Sequence, residues 1–388
     1  MDVSLFISRR LRFRGGIAML CVAVSFLVMI IAVSVSAGFR NELRTGISSI
    51  SGDVQLTPPN LNVLDSSRPI ERNPAYLPYV LGVEGVQAVV PAIYRAGIIR
   101  QDDKIHGVLF KGIEGGVDTV ALGISIPKRL SEITGVGVGD RLTTYFIGDK
   151  VRLRQFNVAN VYDALVETDD KLIVYADIAD LQRLDGWHKN QVSALEVLMK
   201  DSYKGENQIW EATQEIGALV NAYSYDSEAP VVAVSSASKY PQLFDWLNLI
   251  DFNVFFILLL MTIVAGFNMI SGLLIMLFEN ISTIGLLKAL GMTDRSISKV
   301  FLSSSAVLIL KGMAIGNVLA FMFCFIQDKT HILKLNPENY FVSFVPVNVN
   351  IGAVLTADLV SFAVILLLLL IPTIFISKVD PAQTVRVK

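Results

Sequence analysis

Hydrophobic positions in this chain are gathered into four long runs and one broken region. Charged residues are absent from Gly15 to Phe39 and again from Phe252 to Phe278. A third apolar tract, about 297–326, is interrupted inside by Lys311, and a fourth, about 354–376, carries Asp358 near its start. Each is long enough for the ~20 residues with which a helix crosses ~30 Å of hydrocarbon. The pattern therefore predicts four spanning helices over 15–39, 251–278, 297–326 and 354–376. The tracts are spaced as one, then three together. Val35-Ser36-Ala37 resembles a small-residue cleavage site, but the apolar run before it far exceeds the roughly 7–15 residues of a signal peptide.

Between the first two spans the pattern changes. Short apolar runs rich in β-branched residues alternate with Gly, Pro, Asp and Asn breaks, which predicts strands and turns. Val86–Val90, Ala96–Ile99, Gly107–Phe110, Val151–Val161 and Ala194–Met199 read as strands. Gly137-Val138-Gly139-Asp140 reads as a turn leading into Leu142–Ile147, and helical periods occur at Ala176–Leu184 and Ile209–Val220. The expected fold is thus membrane α with a large mixed α/β domain over 40–250. Phe39, Leu43 and Ile47 follow i, i+4, i+8; Leu243, Leu247, Ile250 and Val254 follow i, i+4, i+7, i+11. Both flanking spans are therefore expected to continue out of the bilayer as helical stalks.

Composition agrees with this division: 53% of the 388 residues are hydrophobic and only 18% charged, against roughly 25% charged in soluble domains. The 33 basic and 35 acidic residues give a net charge of −2, so no global basic field draws nucleic acid. Cys21 and Cys324 lie far apart in apolar runs, which sets aside a disulfide framework; His106, His188 and His331 have no ligand spacing. Gly112–Gly116 and Gly135–Gly139 lack a following Lys-Ser/Thr, and no phosphate-loop string occurs anywhere in the chain, so these read as turn glycines rather than a nucleotide site.

Charge also orients the spans. Arg9, Arg10, Arg12 and Arg14 crowd the start of the first span, in an amphipathic segment 1–14 with Leu5, Phe6, Ile7, Leu11 and Phe13, and place the N-terminus in the cytoplasm. Lys288, Arg295 and Lys299 put the connection 279–296 on the same side. Lys378, Arg386 and Lys388 do so for the tail 377–388. The domain 40–250 and the loop 327–353 then fall on the far side.

Two features of the spans invite chemistry. By helix rise, Lys311 lies roughly 20 Å from the cytoplasmic face and Asp358 roughly 6 Å below the other face. Their similar depth predicts either a Lys311–Asp358 pair inside the bundle or a Lys311 that snorkels alone. Asn268 and Ser271 either line a cavity or bond across helices, and Gly312 and Gly316 allow close packing. The segment Thr283-Ile284-Gly285-Leu286-Leu287-Lys288-Ala289-Leu290-Gly291-Met292 follows the second span. It reads as a short amphipathic helix with Ile284, Leu287, Lys288 and Gly291 on one face, stopped by Gly291. Asp294 suits the start of the next helix.

At Ile284–Gly291 the chain resembles the "EIGILRALGA" signature of FtsX/MacB-type ABC transporter permeases. Leu5–Arg12, Gly38–Arg44, Phe267–Ser271, Tyr340–Pro346 and Asp380-Pro381-Ala382 resemble, in order, strings of the lipoprotein-releasing branch, LolC/LolE. Where the family often has an acidic residue before Ile-Gly this chain has Thr283, with Glu279 one turn away. Leu184–Asn190 lies where the family can carry a carrier-docking hook, but it lacks a proline, and Lys311-Gly312 stands where a Glu before Gly is common.

The resemblance implies a MacB-like, type VII permease of the bacterial inner membrane, with both termini cytoplasmic and the large domain periplasmic. It implies a non-catalytic subunit, with residues 283–292 docking on a separate ABC ATPase that holds the ATP and Mg; this chain itself would bind no cofactor or metal. A second copy or a paralogue completes a dimer, lipoproteins are lifted out of the membrane lipid, and a periplasmic carrier receives them. The alternatives are a MacB-like efflux permease for peptides or small molecules and an FtsX-like mechanical regulator of cell-wall hydrolases.

Overall fold

The computed structural model describes residues 16–59, 61, 63, 68–101, 104–115, 121–148, 151–164, 172–336 and 340–377. The amphipathic N-terminal segment with its arginines, the residues 116 and 378–388, and the Asp380-Pro381-Ala382 string lie outside them. In chain order the helices are α1 Gly16–Ser51, α2 Leu77–Leu81, α3 Lys128–Thr134, α4 Ile178–Asp185, α5 Glu206–Tyr223, α6 Ser236–Lys239, α7 Pro241–Glu279, α8 Ile281–Ala289, α9 Asp294–Thr330, α10 Ile351–Leu368 and α11 Leu370–Ser377. The strands are β1 Val54–Thr57, β2 Ile70–Glu71, β3 Val86–Gln101, β4 Lys104–Ile113, β5 Gly123–Pro127, β6 Arg141–Phe146, β7 Arg152–Tyr162, β8 Leu172–Asp177, β9 Gln191–Val192, β10 Ala194–Met199 and β11 Val232–Ser235. The chain divides into two compact units, one of residues 1–40, 247–333 and 345–388, the other of residues 41–246 and 334–344.

The first unit is a helical bundle. Among the described residues, four helices, with α10 and α11 counted as one run, are long and apolar enough to cross a membrane. Helix α1 has 36 residues and α7 has 39. At 1.5 Å per residue either helix is more than 50 Å long, well beyond ~30 Å of hydrocarbon. Phe26, Met269, Leu273, Ile297, Ile309 and Ile365 form the bundle's core. Its close approaches rest on glycine. A Cβ on Gly316 would stand 2.4 Å from the Ala23 carbonyl oxygen, and one on Gly312 would stand 2.8 Å from Val22, so α9 lies backbone to backbone on α1. A polar bond between helices α7 and α10 joins Thr262 to Ser361 at 3.0 Å; Asn268 is half-buried and Ser271 exposed. Arg40 pairs with Asp251, which also accepts from Ser36 Oγ at 2.6 Å, tying α1 to α7.

The second unit is mixed α/β. Its main sheet has nine strands in the order β11-β1-β10-β3-β4-β8-β5-β7-β6, and β6 pairs back onto β3. Six strands, β3-β4-β8-β5-β7-β6, therefore close into a ring, with β4 parallel to β8 and β5 parallel to β7. Phe110, Phe146 and Phe156 fill that ring, with centroids 5.1 to 6.1 Å apart. Closure needs Gly97, whose added Cβ would meet Thr144 at 2.6 Å.

Strand β3 unites the two runs expected as separate strands, because Pro91, paired with Leu195, continues the strand where a missing N–H is tolerated. The turn before β6 forms as the glycines suggest: Gly139 has φ +94° and Asp140 accepts from the Gly137 N–H at 2.8 Å. The outer strands β1 and β11 pair antiparallel, Val54 opposite Ser235. Helix α1 thus ends three residues before β1, and β11 leads through α6 into α7.

Candidate functional site: the helix after the second span

Helix α8 begins two residues after α7 ends, with the Ile284 N–H bonded to the Asn280 carbonyl at 2.9 Å. Its end is fixed by backbone chemistry. Gly291 has φ +90°, the Met292 N–H donates to Leu287 O at 2.9 Å, and the Gly291 N–H donates to Lys288 O at 2.9 Å. This is the paired 6→1 and 5→2 closure of a glycine-terminated helix. The next helix is capped by Thr293, whose side chain accepts from the Ser296 N–H, and Asp294 occupies its first turn. Across the corner Lys288 Nζ lies 2.9 Å from Asp294 Oδ1. With Asp294 half-exposed, that bridge contributes at most about 1 kcal/mol, and its main effect is to hold the corner's shape.

Burial sorts the ten residues expected to meet an ATPase. Ile284 and Gly285 are buried, Leu287, Lys288 and Met292 are half-buried, and Thr283, Leu286, Ala289, Leu290 and Gly291 are exposed. Ile284 belongs to the bundle core, with Leu287 and Met292 packed on it; burying one such side chain contributes about 1.5–3 kcal/mol. Of the face that the periodicity singled out, Ile284, Leu287 and Lys288 lie toward the chain's own bundle, while Gly291 is exposed. The outward face is Thr283, Leu286, Ala289 and Leu290, with Leu286 55% and Leu290 75% exposed.

The expected intramembrane pair does not form. Asp358, buried on α10, accepts from Asn317 Nδ2 of α9 at 2.6 Å. Lys311 lies exposed on the bundle's outer side. Lys311 and Asn317 are six positions apart on the helix, which sets their directions about 120° apart. Similar depth was read without azimuth, and azimuth decides the contact.

The segment Leu184–Asn190 is fastened down. Asp185 is buried 3.4 Å from Arg95 Nε, Arg152 donates to the Leu184 carbonyl, and Gln182 Nε2 donates to the Lys189 and Gln191 carbonyls at 3.2 and 2.9 Å. It closes the end of α4.

Comparison with known proteins adds to this geometry. Residues 255–381 match the family model described as FtsX-like permease C-terminal. The lipoprotein-releasing system transmembrane protein LolC of Neisseria meningitidis is 23% identical, over 94% of this chain and 92% of its own length. LolE of Haemophilus influenzae is 21% identical, over 93% and 91%. Among solved structures, the extracellular domain of the transporter YknZ from Gram-positive bacteria aligns with 47% of this chain and 99% of its own, at 16% identity and a TM-score of 0.29. The periplasmic region of MacB from Actinobacillus actinomycetemcomitans aligns with 49% and 91%, at 15% identity and a TM-score of 0.30. The chain is therefore a multi-pass membrane protein that carries an FtsX-like permease domain over residues 255–381 and is similar to LolC and LolE along nearly its whole length.

Proposed function

We propose that this chain is the permease subunit of an ABC transporter of the bacterial inner membrane. In this reading, ATP hydrolysis by a separate ATPase drives extraction of lipoproteins from the membrane toward a periplasmic carrier. The observation that carries the reading is the similarity to LolC and LolE across more than nine-tenths of both chains, including the domain between the first two spans. The family match over 255–381 covers α8 and the last three spans.

The chemistry needs an outside energy source. Withdrawing acyl chains from a bilayer costs about 0.8 kcal/mol per CH₂, and this chain has no phosphate-binding string of its own. The outward face of α8, with Leu286, Ala289 and Leu290, is the element on which an ATPase would act. ATP and Mg belong to that partner. The arginines before the first span and the basic residues at 288–299 support a cytoplasmic α8 and cytoplasmic termini, and in this reading the α/β domain faces the periplasm. Helices α1 and α7 each run unbroken for at least 36 residues, and a continuous helix carries displacement along its axis with little loss. A second copy or a paralogue supplies the other half of the permease.

The test is reconstitution of the chain with its ATPase in liposomes bearing a labelled lipoprotein. ATP-dependent release to a soluble carrier is the expected result. ATP-dependent movement of peptides or small molecules, or ATP turnover with no cargo moved, would replace the reading with an efflux permease or a mechanical regulator.

A further inference from the structure

Helix α1 ends against the sheet of the α/β unit, and the groups that receive it are charged and buried. A helix leaves its last four carbonyls without helical partners. Here Ser48 O takes the Gly52 N–H at 2.8 Å, Ser49 O takes Lys111 Nζ at 2.7 Å, and Ile50 O takes the Tyr94 hydroxyl at 2.8 Å. Tyr94 and Lys111 are cross-strand partners on β3 and β4. Glu196, on the neighbouring strand β10, accepts from Lys111 Nζ through Oε2 at 2.9 Å and meets the Tyr94 hydroxyl through Oε1. Lys111, Glu196 and Tyr94 are 3%, 4% and 4% exposed.

Such a triad is an expensive way to fill a core. Each buried ion loses several kcal/mol of solvation, and apolar residues of similar volume often serve stability as well or better. What an apolar trio lacks is a donor that reaches the helix. The ammonium of Lys111 bonds the helix carbonyl directly and lies at the negative end of the helix dipole. Gly52 completes the fit: its φ is +69°, and an added Cβ would stand 2.9 Å from the Glu196 Cβ. The end of α6 and the start of α7 meet the same place. Lys239 Nζ bonds Gln55 Oε1 at 2.6 Å and lies 5.1 Å from the Tyr94 ring centroid, while Tyr240 and Phe244 pack on Ile47 of α1.

We infer that Lys111, Glu196 and Tyr94 form the seat through which displacement of α1 is handed to the sheet, and that they are positioning residues for transport rather than filling for the core. This rests on the permease reading, and the seat also has a readout that does not depend on transport. Replacing the pair together, Lys111→Met with Glu196→Leu, leaves no unpaired buried charge while removing the bond to Ser49.

In the full chain with its ATPase, this double variant is expected to hydrolyse ATP within about twofold of wild type. The lipoprotein released per ATP should fall by about tenfold or more, the scale of a lost charged hydrogen bond. Lys111→Arg, which keeps a cationic donor, should recover most of the coupling. Amide exchange over residues 46–52 should quicken in the double variant alone. Unchanged release per ATP with unchanged exchange would overturn the seat, as would parallel loss of ATPase and release in both Lys111 variants. Tyr94→Phe, which removes a single oxygen, gives the same two readouts should the double variant fail to fold. A wild-type complex that turns over ATP without releasing lipoprotein would refute the transport reading, and the exchange measurement would then decide the seat by itself.

Discussion

Asn317 donates its side-chain amide to Asp358 at 2.6 Å, joining α9 to α10 inside an apolar bundle where Asp358 is only 5% exposed. Hydrogen bonds to charged groups are worth about 1.5–3 kcal/mol, and in hydrocarbon no water replaces a lost partner. Asn317→Leu should therefore lower stability in detergent micelles by about that amount. Lys311→Met, on the outer side, should change it by no more than about 0.5 kcal/mol. Denaturant titration of both variants measures this. A Lys311→Met loss as large as that of Asn317→Leu would mean that the lysine is the true partner.

The two sides of α8 should respond differently to charge. Leu286→Glu and Leu290→Glu alter exposed positions, so the chain should fold and insert while losing the ATPase. At an interface anchor the loss would be about 2 kcal/mol or more. Ile284→Asp puts a carboxylate into the bundle core and should cost the fold itself. Co-purification with the ATPase, alongside melting of each variant, separates the outcomes. An intact complex with Leu290→Glu would place the ATPase elsewhere.

Much of this architecture is legible without coordinates, for physical reasons that also mark the limits. Hydrocarbon thickness sets a length that apolar runs must reach, so the first two spans can be read from where Arg14, Arg40, Asp251 and Glu279 fall, and the last two from tracts that each hold a single internal charge, Lys311 and Asp358. Short apolar runs such as Ala194–Met199 announce strands, but Pro91 reads as a break although it lies within β3. The amphipathic period of α8 identifies a buried face without saying what buries it. Ile284 and Leu287 look like docking residues and turn out to seat the helix on its own spans. The triad at the end of α1 left a usable signal, since Lys111 in Gly107–Ile113 and Glu196 in Ala194–Met199 are lone charges inside apolar strands. Their meeting depends on β10 lying beside β3, a long-range pairing no local pattern encodes.

Backbone proximity at Gly316 makes a sharp steric prediction. An alanine there must displace the Ala23 carbonyl, 2.4 Å from the new Cβ, so α9 and α1 must separate. Overpacking of this kind costs about 1–3 kcal/mol. By contrast, Gly107 in β4 has nothing within 4 Å of an added Cβ, and Gly107→Ala should stabilise by about 0.4–1 kcal/mol through the unfolded chain. Melting of the two variants should move in opposite directions, and a neutral Gly316→Ala would show that the helices are not in contact at that level.

Alkaline pH should unfold the α/β unit through its tyrosines. Burial raises the hydroxyls of Tyr76, Tyr94, Tyr162 and Tyr175 above their ordinary range and pushes Tyr240 up to about 12; nearby Glu196 adds to the effect at Tyr94, Tyr175 and Tyr240. A phenol is neutral below its pKa. Raising the folded value therefore adds stability that is fully present below the unfolded value near 10 and disappears as pH climbs through the folded value. In the window above pH 10 the unfolded chain sheds protons that the folded chain retains, at about 1.4 kcal/mol for each unit of difference per group. Tyrosinate absorbance followed together with circular dichroism should show these five hydroxyls ionising in one step that coincides with unfolding. Smooth ionisation of all 11 tyrosines near pH 10, with the fold intact, would mean that the sheet face receiving α1 is open to water, and the buried seat at Lys111 and Glu196 would fall with it.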